Sequence, residues 1–122
     1  QNGVHSRFET ELFERYSGRL HITPPSLTQI ASAREFAFAT LTDSYQLAEP
    51  VLAADRAAIA GRDTYDDAYF DAFLARTQPI LERRLGQAIS GVASVITAAW
   101  TEAGMPPVPP DAPRRPPRKV GR

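Results

Sequence analysis

His5 and Glu9 are the residues of this chain whose types and spacing are best suited to chemistry. Side chains four positions apart in a helix project from nearly the same face. A neutral imidazole and a carboxylate one helical turn apart can hold a zinc ion, which accepts nitrogen and oxygen ligands. The same pair can also form a structural contact or a surface pair, and its spacing alone leaves these alternatives open.

The element that must position this pair is a predicted helix from Val4 to about Tyr16. Its apolar residues share one stripe, namely Val4, Phe8, Leu12, Phe13 and Tyr16. His5 and Glu9 fall within that stripe, and ionisable groups on a packed face need a hydrogen bond, an ion pair or a metal. We therefore expect the pair to face an incomplete pocket rather than basic side chains, and the exposed stripe to promote self-association through residues 4–16.

Three further helical stretches are predicted after a proline-containing loop at Thr23-Pro24-Pro25-Ser26. Ser32-Ala33-Arg34-Glu35 has capping-box spacing and predicts a helix start. Pro50 predicts a break near Ala48-Glu49, followed by a stretch from Val51 to Ile59 that Gly61 closes. Asp63-Thr64 predicts the cap of a third helix that ends at about Arg76.

The longest helix is predicted to begin at Thr77, with Pro79 in its first turn, and to end at Gly104. Its buried stripe is expected to contain Leu81, Leu85, Ala88, Val92, Val95 and Ala99. Ser90, Ser94 and other polar residues are expected on the opposite, solvent-facing side.

These elements predict an all-α fold, a bundle of four to five helices over residues 1–104. Residues 105–122 are rich in proline and arginine and predict a disordered basic tail, whose Pro-x-x-Pro spacings could dock a polyproline-reading domain. The 14 basic and 14 acidic residues balance, which excludes a strong global field toward nucleic acid or membrane. No apolar run is long enough to predict a membrane span.

Other candidate sites in the sequence are weaker. The chain has no cysteine, which excludes thiolate chemistry and cysteine-ligated zinc. His21 lies near the prolines without an acidic residue at ligand spacing, and we expect a surface or hydrogen-bonding role. The acidic group Asp63, Asp66, Asp67 and Asp71 lacks the pattern of a calcium loop, and charge complementarity with a helix N-terminus explains it better.

The segment around His5 also carries a family resemblance. Gly3-Val4-His5-Ser6-Arg7-Phe8-Glu9, continuing into Leu12, resembles the segment of zinc-dependent phospholipase C and the related single-strand-specific nucleases where the last His-x-x-x-Glu pair enters the zinc cluster. Downstream, Asp66, Tyr69, Phe70, Ala72, Arg76-Thr77, Arg84-Leu85, Ala88, Ala98-Ala99-Trp100 and Ala103-Gly104-Met105-Pro106 resemble the closing helices of bacterial members. The likeness covers residues 3 to about 109.

That resemblance implies a mostly α fold, a trinuclear zinc cluster and hydrolysis of phosphodiesters by metal-activated water. Only His5 and Glu9 match ligand positions, so the resemblance implies either the C-terminal part of a larger enzyme, inactive alone, or a decayed, inactive relative, and we favour the former. The start Gln-Asn-Gly-Val-His fits a processed or truncated beginning. The parent would be secreted or periplasmic and act on phospholipid or single-stranded nucleic acid. The alternative is a non-enzymatic helical interaction module with a basic proline-rich tail.

Overall fold

The computed structural model describes residues 2–108, and its regular structure there is helical throughout. An N-terminal helical segment consists of an α-helical turn at Val4–Ser6, a π-helical turn at Arg7–Glu11 and an α-helix at Leu12–Tyr16. A 3-10 turn at Ser17–Arg19 follows it. Three longer helices are α1, Ala33–Gln46, α2, Ala48–Ile59, and α3, Asp67–Glu102. The predicted all-α class is confirmed.

The boundaries of α1 and α2 follow local chemistry. The Ser32 hydroxyl accepts a hydrogen bond of 3.3 Å from the backbone N–H of Glu35, as the capping-box spacing predicted. The break between α1 and α2 falls at Leu47, which places Pro50 in the first turn of α2. A proline is tolerated there because the first N–H groups of a helix have no intrahelical partner. After α2, Gly61 adopts a φ of 73°, a left-handed conformation that suits glycine.

The predicted boundary at Thr77 is wrong, because α3 runs unbroken through both Thr77 and Pro79. The buried Thr77 hydroxyl donates 2.7 Å to the carbonyl of Phe73, four residues earlier, and so its hydrogen bond lies within the helix instead of capping one. An interior proline costs about 3 kcal/mol. Burial of the surrounding turns offsets that cost, since fully burying each large apolar side chain contributes roughly 1.5–3 kcal/mol. The N-cap of α3 is Asp66, not Asp63-Thr64 as predicted, and its carboxylate accepts a hydrogen bond from the N–H of Tyr69 at 2.8 Å.

The hydrophobic core lies between the N-terminal segment, α2 and the first half of α3. Its buried members are Leu12, Ala54, Ala58, Tyr69, Phe70, Phe73, Leu74 and Leu81. Tyr69 packs against Phe70 edge to face, with ring centroids 5.0 Å apart, and lies 5.6 Å from the Phe73 ring. The short alanines of α2 allow it to approach this aromatic cluster closely.

In the second half of α3 the buried face is not the predicted apolar stripe. Gly86, Ser90 and Ser94 are buried, whereas Val92 and Val95 are exposed. The extended residues 20–31 lie along the small side chains of α3. A Cβ atom at Gly86 would lie 2.9 Å from the backbone oxygen of Thr23, so glycine is what allows this approach.

Hydrogen bonds explain why serines are buried there. The Ser90 hydroxyl donates to the Pro25 carbonyl, and the N–H of Thr28 donates to the Ser94 hydroxyl at 2.9 Å. Residues 20–31 form no helix or strand, so their backbone groups have no regular hydrogen-bond partners of their own. They form hydrogen bonds with side chains of α3 instead. At the start of this segment the N–H of His21 donates to Glu82 at 2.9 Å. That bond, supported by one from Gln78, lowers the pKa of the Glu82 carboxyl.

Several large apolar side chains remain exposed on α1 and α3. They are Phe38, Leu41 and Tyr45 on α1, and Ile89, Val92, Val95 and Ile96 on α3. The apolar stripe on the N-terminal segment is less exposed than predicted, because Leu12 is completely buried and Phe8 packs against the core. Within the described residues, no helix is both long and apolar enough to cross a membrane.

Candidate functional site

His5 and Glu9 lie together on the N-terminal segment. Nδ1 of His5 is 3.3 Å from Oε1 of Glu9, and the two side chains are 83% and 58% exposed. Among the described residues, Glu9 has no Arg or Lys partner within 4.0 Å. Both side chains are largely in solvent, and they line a cavity instead of pairing with basic side chains, which is the arrangement expected of an incomplete pocket. The buried side of this turn is taken by Arg7 and half-buried Phe8 instead.

Glu9 lies in the π-helical turn Arg7–Glu11, and His5 lies in the α-helical turn just before it. A π-helical turn joins residues five apart, and such turns are rare and are found frequently at functional sites. Arg7, between the two candidate ligands, is buried, whereas His5 and Glu9 are exposed.

Arg7 anchors this turn through a buried polar network. Its Nη2 lies 2.9 Å from Oδ1 of Asp55 on α2, and its Nε donates 3.0 Å to the Tyr69 hydroxyl on α3. The Tyr69 hydroxyl in turn donates to Asp55 at 2.6 Å. The guanidinium also lies 3.8 Å above the Tyr65 ring and donates to the carbonyl of Asn2. The Arg7 guanidinium thus links the N-terminal segment to α2 and to α3.

The network shifts the pKa values of its members. Burial, followed by the hydrogen bond to Asp55, raises the pKa of Tyr69 far above its ordinary value. Desolvation lowers the pKa of Arg7, but the hydrogen bonds to Asp55 and Tyr69 outweigh it, and the net pKa is raised. Arg7 therefore stays charged, and Tyr69 stays protonated, over the whole physiological range. Arg7 and Tyr69 therefore act here through hydrogen bonds and charge, which hold the structure.

A cavity of about 610 Å³ opens beside the His5–Glu9 pair. Its lining comes from the N-terminal segment, the junction of α1 with α2, and the middle of α3. The lining residues are Val4, His5, Phe8, Glu9, Ser44, Leu47, Ala48, Val51, Leu52, Ile80, Leu81, Arg84, Leu85 and Ala88. Most of them are apolar, with a few polar groups at the edge, which is the usual make-up of a small-molecule site.

The donor pair fits part of a zinc site. Two ligands at roughly 2.1 Å from a tetrahedral zinc ion lie about 3.4 Å apart. The observed 3.3 Å between Nδ1 of His5 and Oε1 of Glu9 matches that separation. It is longer than an ordinary charge-assisted hydrogen bond. Residues 2–108 contain no group of three or more His, Cys, Asp or Glu residues that could close a metal site.

The other sequence candidates have structural roles. The imidazole of His21 is exposed, and this residue contacts Glu82 through its backbone N–H. Asp66 caps α3, Asp67 pairs with Arg15 at 2.7 Å, and Asp71 accepts from the Tyr16 hydroxyl at 2.9 Å. This arrangement agrees with the expected role of the acidic group at a helix start. The Pro-x-x-Pro tail lies almost wholly in residues 109–122, outside the described residues.

Three residues of this region were missed by the sequence reasoning. Arg7 was hidden because it lies between the two candidate ligands in a run taken as one amphipathic stripe. Asp55 gave a weak signal, as the acidic residue of the alanine-rich run Ala53-Ala54-Asp55-Arg56-Ala57-Ala58. Arg84 gave no distinguishing signal, since it follows Arg83 on a helix whose facing side depends on tertiary contacts.

Comparison with known proteins adds no assignment. The chain matches no family model, and searches against curated proteins and solved structures find no match. The site must therefore be interpreted from its own geometry.

Proposed function

We propose that this chain is the helical C-terminal segment of a zinc-dependent phosphodiesterase, of the phospholipase C or single-strand nuclease type. His5 and Glu9 contribute one ligand pair to its zinc cluster. The remaining ligands come from the upstream part of the same enzyme, and the segment is not active alone. The observation that carries the proposal is the 3.3 Å separation of His5 Nδ1 and Glu9 Oε1 at the edge of an apolar cavity.

Three features of the structure support this proposal. The π-helical turn contains Glu9 and directly follows the turn of His5, and such turns are frequently found at functional sites. The Arg7–Asp55–Tyr69 network fixes the turn to α2 and α3, and ligands held on a rigid scaffold bind metal better than mobile ones. The cavity beside the pair offers room for a substrate with an apolar portion.

A zinc ion bound by this pair would supply Lewis-acid activation of water and would neutralise charge on phosphoryl oxygens. The chain's own contribution is to orient the two ligands. The apolar lining of the cavity, including Phe8, Leu47 and Val51, offers contact surface for an apolar part of the substrate.

In the parent protein, we propose that further helices pack on α1 and α3 and complete a bundle of four to five helices. They would cover Phe38, Leu41, Val92 and Ile96, which are exposed in this chain. Exposed large apolar side chains of this kind are typical of surfaces that another part of a protein covers when they form a larger patch. From the family resemblance alone, we also propose that the parent protein is secreted or periplasmic.

Zinc binding to the full chain, first stripped of metal, tests the proposal. Zinc is titrated while histidine side-chain resonances are followed by NMR and the heat of binding by calorimetry. We expect zinc to shift the His5 resonances, and His5→Ala and Glu9→Gln each to remove most of the binding. His21→Ala is the matched control, because it removes the chain's other histidine, which is exposed and far along the chain.

Two outcomes would reject the proposed metal role. One is zinc binding that His21→Ala weakens as much as His5→Ala does. The other is the absence of any zinc-dependent change at His5. Circular dichroism of each variant checks that the helical content is retained.

The alternative function is a non-enzymatic helical interaction module. One observation favours it: the Arg7 network already anchors the N-terminal segment without a metal ion. On that view the His5–Glu9 pair is a surface contact, and the exposed apolar faces of α1 and α3 bind a partner. The zinc titration separates the two functions, because a surface contact requires no selective zinc binding.

A further inference from the structure

The cavity beside His5 and Glu9 is also lined by a positively charged side chain, that of Arg84. Arg84 and Ser44 both line it, on helices α3 and α1. The cavity therefore combines a pair of candidate metal ligands, an arginine and an apolar lining. A substrate with a phosphoryl group and an organic substituent would find complementary chemistry for each part.

Arg84 differs in its partners from five other arginines. Its Nη2 donates to the Ser44 hydroxyl and its Nη1 donates 2.9 Å to the side-chain oxygen of Gln87. Both acceptors are neutral. Arg7, Arg15, Arg19, Arg56 and Arg62 instead lie within 4.0 Å of a carboxylate. Within residues 2–108, Arg84 has no such ion pair, so its positive charge is not compensated by direct contact. Arg34, Arg76 and Arg83 share this property, but they do not line the cavity.

Ser44 also holds the arginine in place. The Ser44 hydroxyl donates 2.8 Å to the carbonyl of Thr40, which fixes the direction of its hydrogen. Its lone pairs are then available to accept from Arg84. A guanidinium has five N–H donors in a planar fork, and two bonds to Ser44 and Gln87 leave donors for a further acceptor. Phosphate oxygens match this fork well, because they accept two parallel hydrogen bonds.

We propose that Arg84, positioned by Ser44, is the phosphate-binding group of this cavity and binds the non-bridging oxygens of a phosphodiester. This inference rests on the proposed function and deepens it by assigning a substrate-binding residue on the chain itself. The apolar lining takes the organic substituent of the ester. This arginine lies on α3, whereas the candidate metal ligands lie on the N-terminal segment, and both line the same cavity.

The test measures phosphate binding to the full chain without metal. Inorganic phosphate is titrated in the presence of a chelator while the Nε–H resonance of each arginine is followed by NMR. We expect the Arg84 resonance to shift. Arg84→Gln should weaken binding roughly tenfold or more, the loss expected for a hydrogen bond to a charged group. Ser44→Ala should weaken it by a smaller factor.

Arg83→Gln is the matched control, because it makes the same change in charge at the preceding, exposed position. Its phosphate binding should equal that of the unmodified chain. Equal losses in Arg83→Gln and Arg84→Gln would overturn the proposal, since they would indicate only general charge attraction. Binding that neither variant changes would also overturn it.

Two phosphodiesters then identify the source of the ligand. One arm uses a thymidine dinucleotide, and the other uses dihexanoylphosphatidylcholine below its micelle-forming concentration. We expect one of them to bind in an Arg84-dependent manner, and failure of both would overturn the proposal. Because the experiment contains no metal, its result is independent of zinc binding at His5. Loss of the zinc site with retained Arg84 binding would reject the proposed function alone.

Discussion

Nη2 of Arg7 lies 2.9 Å from Oδ1 of Asp55, and both side chains are almost completely buried. The pair joins the N-terminal segment to α2, and Tyr69 adds the connection to α3. A buried ion pair is costly to desolvate, but removing one partner costs more than the pair itself, because it leaves an uncompensated charge. The position of the N-terminal segment, which carries His5 and Glu9, therefore depends on these contacts with the core.

Asp55→Ala should therefore strongly destabilise the chain. We expect the free energy of unfolding in urea to fall by about 3–5 kcal/mol, the usual effect of breaking a buried pair. Glu49→Ala breaks the exposed pair with Arg56 and should change stability by less than about 1 kcal/mol. A double replacement, Arg7→Met with Asp55→Leu, should recover part of the loss. Equal effects of Asp55→Ala and Glu49→Ala would show that the network does not hold the fold.

We expect the free energy of unfolding to fall at alkaline pH because of Tyr69. Its raised pKa means that the folded state retains the phenolic proton, while the unfolded state releases it at about pH 10. The stabilising contribution is thus fully present below pH 10 and declines as the pH rises further. We expect Tyr69→Phe to show a shallower decline between pH 10 and 12 in urea melts. Tyr45→Phe, at an exposed position, should leave the slope unchanged, and an equal change in both variants would contradict the prediction.

Gly86 should tolerate no larger side chain. A Cβ atom would lie 2.9 Å from the backbone oxygen of Thr23, and the extended segment would have to move away from α3. Gly86→Ala should lower stability by about 1–3 kcal/mol relative to Gly91→Ala. At Gly91 the added atom meets only the Phe36 ring at 3.3 Å, which can shift, and the gain in helix propensity is about 1 kcal/mol. Equal unfolding midpoints for the two variants would disprove the close contact.

The isolated chain should self-associate through α3 rather than through the N-terminal segment. Val92 and Ile96 lie one helical turn apart and are 61% and 63% exposed, whereas Leu12 is buried. Replacing both Val92 and Ile96 by Ser should shift sedimentation velocity profiles toward monomer across a concentration series. Phe13→Ser provides the comparison on the N-terminal segment. If Phe13→Ser has the larger effect, association uses the surface that the sequence first suggested.

The isolated chain should also lack catalytic activity. Two protein ligands leave zinc open to water and poorly fixed, whereas catalytic zinc sites use three protein ligands. With added zinc, the chain should not hydrolyse bis-nitrophenyl phosphate or single-stranded DNA faster than His5→Ala does. Turnover clearly above that control would disprove the view that upstream ligands are required.

The sequence by itself determined the helical class, the cap at Ser32 and the end of α2, because these depend on short-range backbone chemistry. It also placed His5 and Glu9 on one face, since residues four apart in a helix remain close even through a π-helical turn.

Tertiary structure decided which faces are buried. Sequence periodicity favoured Val92 and Val95 as buried residues of α3, but residues 20–31 cover Ser90 and Ser94 because their backbone groups need hydrogen-bond partners. Likewise, Arg7 is buried because Asp55 and Tyr69 meet it from two other helices, across 48 and 62 residues of chain. No local pattern encodes such a meeting, since the cost of burying a charge depends on partners that only the folded chain brings together.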